Sequence, residues 1–193
     1  MKKKSLVSIA LATGCILFFL PRESDPHLQF LKDEHVLQEL VAPSPSAPDL
    51  PADMADEVLI KKSVHRLILL RDGRPIKTYR IALGRHPVGK KTREGDLKTP
   101  EGSYTIDGRN PASRFYRSLH ISYPSIEDEK QAAAQGVSPG GDIMIHGLKN
   151  GMGRLGKRHC RQDWTNGCVA VTNSEMDEIW RAVPDGTPVT IVP

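Results

Sequence analysis

Aromatic side chains are scarce in this chain, at 5% of the residues, and there are 3 cysteines in 193 positions. So few aromatics argue against a nucleic-acid binder, which stacks bases on an aromatic-rich sheet or presents a dense basic helix. The formal net charge of +4 is moderate and suits a carboxylate-bearing or polyanionic partner. No Cys-x-x-Cys pair occurs, the close spacing that structural zinc sites commonly use. No internal repeat is visible. The main apolar run, Leu6 to Leu20, is short for a membrane span, which needs about 20 residues.

That run has a different use. Lys2-Lys3-Lys4 ahead of it supply the charged n-region, and the run itself the apolar h-region, of an export signal. No Ala-x-Ala site follows, and Pro21-Arg22-Glu23 ends the run abruptly. Three fates fit: a cleaved signal, an uncleaved anchor, or a lipoprotein acylated on Cys15 of Ala12-Thr13-Gly14-Cys15. Ile16 to Leu20 stays apolar after that cysteine, which weighs against lipidation. Residues 1–20 are therefore assigned as a signal peptide or N-terminal anchor that targets the membrane. The expected location is exported: periplasm or cell envelope, free or held at the inner membrane.

Residues 21–57 have the composition of a tether. His27 to Leu40 carries helical spacing at Leu28, Leu31 and Leu40, and Pro43, Pro45, Pro48 and Pro51 then favour an extended linker. Residues 58–193 are assigned to one folded domain. Val58 to Ile60, Arg66 to Leu70, Lys77 to Leu83, Ser103 to Ile106, Leu119 to Ser122 and Val189 to Val192 are short strand-like runs. Asp72-Gly73 is a hairpin turn signal. Two short helices interrupt the strands. One runs from Ser125 to Gln135, with Ser125 and Asp128 in capping-box spacing. The other runs from Ser174 to Val183, capped by Thr172 and Glu175 and stopped by Pro184. Its apolar stripe of Met176, Ile179, Trp180 and Val183 is core packing. The fold class predicted is mainly β, an antiparallel β-sandwich with two short α-helices.

The chemistry concentrates near the C-terminus. Ile143-Met144-Ile145-His146-Gly147 is a buried strand that ends on an imidazole; Asp163-Trp164-Thr165-Asn166-Gly167-Cys168 puts a thiol at a glycine-tight turn. A thiolate is the nucleophile of cysteine chemistry, and an imidazole can take its proton. Cys168 is the candidate nucleophile and His146 the candidate proton acceptor and donor; a charged imidazole would also lower the thiol pKa. Backbone N–H groups around Gly167 and Cys168 are candidate oxyanion donors, with Gly167 the leading one, and Gly147 permits close backbone approach. Other readings of the same residues remain open. Cys160 and Cys168 could pair as a disulfide in an exported domain. His146, His159, Cys160 and Cys168 are zinc-compatible, but adjacent His159 and Cys160 point to opposite faces of an extended chain. No metal and no cofactor is expected.

Gly95-Asp96-Leu97-Lys98-Thr99-Pro100-Glu101-Gly102, Ile145-His146-Gly147 and Thr165-Asn166-Gly167-Cys168, in that order, resemble the L,D-transpeptidase catalytic (YkuD-type) family over about Val58 to Val192. The resemblance implies a β-sandwich in which Cys168 attacks a peptidoglycan tetrapeptide stem after its third residue. A terminal D-alanine leaves, and a thioester forms. An amine, on a diaminopimelate side chain or on a lysine of a wall-anchored protein, then resolves it. Water in place of the amine makes the same site a hydrolase or amidase. Gly147, Thr165, Asn166, His159 and Arg161 are the implied substrate-binding residues. Two positions depart from the common Ser/Thr-His-Gly-Cys-x-Arg pattern: Asn166 stands for its histidine and Ala170 for its arginine. Arg158, Arg161 or the Lys90 to Arg93 loop would then supply the missing cation. A non-catalytic wall-binding domain and a disulfide- or zinc-stabilised module are the competing classes.

Overall fold

The computed structural model describes residues 53–193. The expected signal segment, the helix at His27 to Leu40 and the proline-rich linker lie outside those residues. The domain starts a little before Val58, because Ala55 is fully buried and its N–H donates to the Ala182 carbonyl at 2.7 Å.

Strands β1 (Glu57–Lys61), β2 (Arg66–Arg71) and β3 (Arg74–Arg80) form an antiparallel meander. The turn between β2 and β3 forms where Asp-Gly signalled it. Asp72 and Gly73 both take positive φ, 51° and 69°, as a two-residue turn matched to strand twist requires. β4 (Gly102–Asn110) and β5 (Ser118–Ile121) follow, then helix α1 (Ile126–Ala134) and β6 (Met144–His146). A kinked 3-10 segment (Gly153–Arg161) leads to β7 (Val169–Ala170), helix α2 (Asn173–Ala182) and β8 (Pro188–Val192). Both predicted capping boxes are made: Ser125 with Asp128 on α1, and Thr172 with Glu175 on α2.

The architecture is not the expected antiparallel sandwich. The strands form one mixed sheet in the order β3-β2-β1-β8-β4-β5-β6-β7, with β1–β8 and β6–β7 parallel and the other pairs antiparallel. Short polar turns suggested hairpins throughout, but a parallel neighbour needs a long crossover. The chain supplies one in the stretch holding the 3-10 segment, between β6 and β7, and that segment is a third helical element the sequence did not suggest. The sheet bends within β4, whose first half pairs with β8 and whose second half pairs with β5 across an irregularity between Ile106 and Gly108. It curls until its ends meet. Just past β3, Ala82 bridges Ala170 of β7 and Gly84 bridges Thr165.

The curl encloses the core. Val58 and Ile60, Leu67 and Leu69, and Val189 and Ile191 alternate inward along β1, β2 and β8, as period-2 patterning dictates. Helix α2 adds Met176 and Ile179, both fully buried. Trp180 is only partly buried, its ring centre 4.9 Å from the Arg109 guanidinium and 5.5 Å from that of Arg117. Ile179→Ala should lower the unfolding free energy by about 2–5 kcal/mol, the range for a large-to-small change in a close-packed core. Urea denaturation checks it, and a loss under about 0.5 kcal/mol, ordinary for a surface position, would contradict this placement.

Candidate active site

The parallel β6–β7 pair sets the geometry. Ile145 lies opposite Val169 and His146 opposite Ala170. Continued one step back, that register places Cys168 level with Met144, whose N–H is directed at the Cys168 sulfur. Side chains two apart on a strand share a face, so Cys168 and His146 project to the same side of neighbouring strands. Both line one cleft of about 890 Å³. The structure thus brings together the two groups on which the sequence reading placed the chemistry.

His146 is buried, and its Nδ1 lies 2.7 Å from the Gly147 carbonyl oxygen. A carbonyl only accepts, so Nδ1 carries the proton and Nε2 keeps its lone pair. Burial holds the imidazole below its ordinary pKa; the Gly147 carbonyl opposes this and the charge of a protonated His159 adds to it. The ring sits among aromatics, with centroids 4.6 Å from Phe115 and 5.7 Å from Trp164. Gly147 is required beside it, since a Cβ there would stand 2.9 Å from the Asn173 side-chain oxygen.

Cys168 donates to the Asp142 carbonyl at 3.4 Å. Burial pushes its thiol up, and the Met144 N–H and the charge of Lys91 only partly offset burial and the negative charge of Asp142. Both groups are therefore neutral at rest, and the imidazolium-lowered thiol considered from the sequence is not what these surroundings favour. The turn before the cysteine is braced by Thr165. Its hydroxyl donates to the Cys168 carbonyl at 2.7 Å and accepts the Gly167 N–H at 3.1 Å. The Gly167 N–H is thus already spent, and the amide next to the sulfur with no acceptor among the described residues is that of Cys168. Gly167 itself has φ 138°, and a Cβ there would meet the Lys98 carbonyl oxygen at 2.8 Å.

The remaining predicted residues divide. Asn166 is exposed at the cleft, and Thr165 lines it while serving the turn. His159 is buried and lines a smaller adjoining cavity of about 260 Å³. Arg161 is exposed and lines neither cavity. Ala170 has no exposure and exchanges both backbone hydrogen bonds with Ala82, at 3.0 and 2.8 Å. Of the cations suggested in place of an arginine there, Lys90 pairs with Asp128 and Lys91 with Asp96. Arg85, Arg114 and Lys149 line the cleft instead, and none has a carboxylate partner among the described residues. Sequence reasoning missed all three, because they stand on separate loops with no motif around them.

The loop 84–101 forming one wall is held from within. Burial raises the Asp96 pKa, yet the N–H groups of Thr92, Lys98 and Arg93 and the Lys91 ammonium outweigh it, leaving the carboxyl below its usual range. Buried Lys62 reaches the Gly89 and Thr99 carbonyls and the Glu101 carboxylate at 2.8, 2.9 and 2.8 Å. Asp163 secures the opposite wall, accepting from Leu83 N–H at 2.8 Å and bonding His65 Nε2 at 2.9 Å.

Cys160 and Cys168 are both free thiols, so the disulfide reading is not realised. Cys160 is buried, its sulfur 3.1 Å from His159 Nε2 and 3.4 Å from the Arg80 carbonyl, and burial pushes its thiol up to about 11. Among the described residues no three His, Cys, Asp or Glu side chains gather as a metal-ligand group. No helix among them is long and apolar enough to cross a membrane.

Fold and sequence together place the chain among the L,D-transpeptidase catalytic domains. The YkuD family model, described as an L,D-transpeptidase catalytic domain, matches residues 55–191, and the chain belongs to that family. YafK of Escherichia coli strain K12, named as a candidate L,D-transpeptidase, is 32% identical over 111 residues, 56% of this chain and 37% of YafK. YqjB of Bacillus subtilis strain 168, named likewise, is 28% identical over 145 residues, 74% of this chain and 73% of YqjB. The structure of the helical cell shape determining protein Pgp2 from Campylobacter jejuni aligns with a TM-score of 0.54 at 30% identity, covering 69% of this chain and 46% of that one. The chain therefore spans well under two thirds of the length of both YafK and Pgp2.

A neutral resting thiol has a measurable signature. Alkylation of Cys168 by iodoacetamide, followed by peptide mass mapping, should be slow at pH 7 and still accelerating above about pH 8.5, the ordinary thiol range. A rate that has levelled off by pH 7 would mean a preformed thiolate and contradict these surroundings.

Proposed function

We propose that this domain is a cysteine acyltransferase acting on the peptide stems of peptidoglycan. The observation that carries the reading is the placement of Cys168 and His146 on one face of a parallel strand pair, in one cleft, with the His146 Nδ1 proton fixed by Gly147. Cys168 Sγ attacks the carbonyl carbon of the scissile amide while its proton passes to His146 Nε2. Of the two N–H groups expected from sequence, that of Cys168 receives the oxyanion, since that of Gly167 is taken by the Thr165 hydroxyl. His146 then protonates the departing D-alanine nitrogen, the C–N bond breaks and a thioester remains. An incoming amine gives a proton to His146 as it attacks the thioester carbonyl; a new C–N bond forms, the C–S bond breaks and His146 returns the proton to the sulfur. Water taking the amine's place gives hydrolysis by the same steps.

Family membership supports the wall substrate, as does the likeness to Pgp2, a helical cell shape determining protein. Stem peptides carry carboxylates, and Arg85, Arg114 and Lys149 are the cations placed to receive them. An exported location follows from that substrate and from the N-terminal sequence.

Carbapenem labelling tests the nucleophile. Intact mass should show one adduct, lost in Cys168→Ala and slowed about 10²–10⁴-fold in His146→Gln, the usual contribution of a general base. Labelling that persists in Cys168→Ala would overturn the assignment. Muropeptide incubation separates the outcomes, since new crosslinks report transfer and shortened stems report cleavage. Arg85→Gln and Arg114→Gln should each raise KM for a free-carboxylate stem about tenfold, by removing a charge-assisted hydrogen bond, and leave an amidated stem little changed. Equal losses on both stems would remove these arginines from carboxylate recognition.

A further inference from the structure

We propose that the 3-10 segment Gly153–Arg161 and the cavity beneath it form a second binding site. Its ligand is an acidic peptide strand bearing one bulky apolar side chain, carried by a protein that is being joined to or released from the wall. This rests on the reading above only for why such a protein approaches; the site itself stands on its own geometry.

The cavity holds about 260 Å³ and is walled by Leu148, Met152, Leu155, His159, Phe115 and Trp164. Phe115 and Trp164 also line the main cleft, so an occupant would sit directly beside the reacting groups. The space equals roughly eight water volumes at ~30 Å³ each, and walls this apolar give water few partners. A large aliphatic or aromatic side chain fits such a space.

The site is built in advance. Asn150 fixes the start of the segment: its N–H donates to the Arg114 carbonyl at 3.0 Å, and its side chain meets the Ser113 carbonyl at 3.2 Å and the Tyr116 N–H at 3.1 Å. Cys160 fixes the far end on the Arg80 carbonyl at 3.4 Å. Gly156, with φ 50° and ψ −141°, makes the kink between the two halves. Trp164 stands at the shared wall, and its indole N–H is buried with no acceptor among the described residues.

Charge selects the partner. From Ile143 to Gln162 the sequence contains no Asp or Glu. Lys149, Arg154, Lys157, Arg158 and Arg161 are all exposed there, without a carboxylate partner among the described residues. A strand with Glu or Asp on either side of its apolar anchor matches this arrangement. An anionic membrane surface would match the charge but not the apolar part, because Met152 is the one large exposed hydrophobic residue of this segment, at 44%.

The test uses the full chain carrying Cys168→Ala, so that binding is read without turnover. Fluorescence anisotropy is followed with labelled Glu-Glu-Leu-Glu-Glu, with an Ala-for-Leu version and with Lys replacing Glu. The leucine peptide should bind, the alanine version about tenfold more weakly, in line with one lost apolar anchor, and the lysine version weakest. Met152→Glu and the pair Lys157→Glu with Arg158→Glu should each weaken the leucine peptide about tenfold. The same changes placed in the parent chain should leave carbapenem acylation of Cys168 intact, which shows that these variants fold. Equal affinity for the leucine and alanine peptides, or for the Glu and Lys flanks, overturns the proposal. Binding to phosphatidylglycerol vesicles with none to the acidic peptide does so as well. Should Cys168 refuse carbapenem in the parent chain while the peptide series behaves as described, the catalytic reading fails and the docking site stands.

Discussion

The site depends on the closure of the sheet at Ala82 and Ala170. Their reciprocal backbone bonds pin β7 between β6 and the extension of β3. Without that closure, β7 would be a two-residue edge strand, too short to hold a turn in place. With it, the Thr165 hydroxyl, the Gly167 backbone and the Cys168 carbonyl lock into a single conformation that presents the sulfur. Ala170 itself is fully buried.

Around this fixed element the cleft walls are held by polar groups that face inward. Lys62, Asp96 and Asp163 satisfy loop carbonyls and N–H groups that would otherwise be stranded away from water. Long loops line functional sites well only when something sets their shape, and here buried ion pairs and backbone bonds do so in place of regular structure. Arg85, Arg114 and Lys149 are left without such duties, so they can respond to whatever enters.

Much of the element order was legible in the sequence. Asp72-Gly73 announced its hairpin, the two capping boxes announced both α-helices, and alternating Val, Ile and Leu marked the strands, because each signal is local. Sheet topology was not local. Nothing in Val189 to Val192 reveals that β8 inserts parallel to β1, and nothing in the stretch between His146 and Cys168 marks it as the crossover a parallel pair requires. Cys168 and His146 could be read because thiol chemistry demands a specific pair of side chains. The duty of the Gly167 N–H could not, since it turns on which way the Thr165 hydroxyl points, nor could the positions of His159 and Arg161, which lie on a 3-10 path without periodicity.

The uncharged state that burial favours for Cys168 and His146 has a consequence for how the sulfur meets oxidants. Thiolates are the form that attacks peroxides and disulfides, so a thiol that burial keeps protonated reacts with them slowly. Such a sulfur outlasts idle periods without a reductase to repair it.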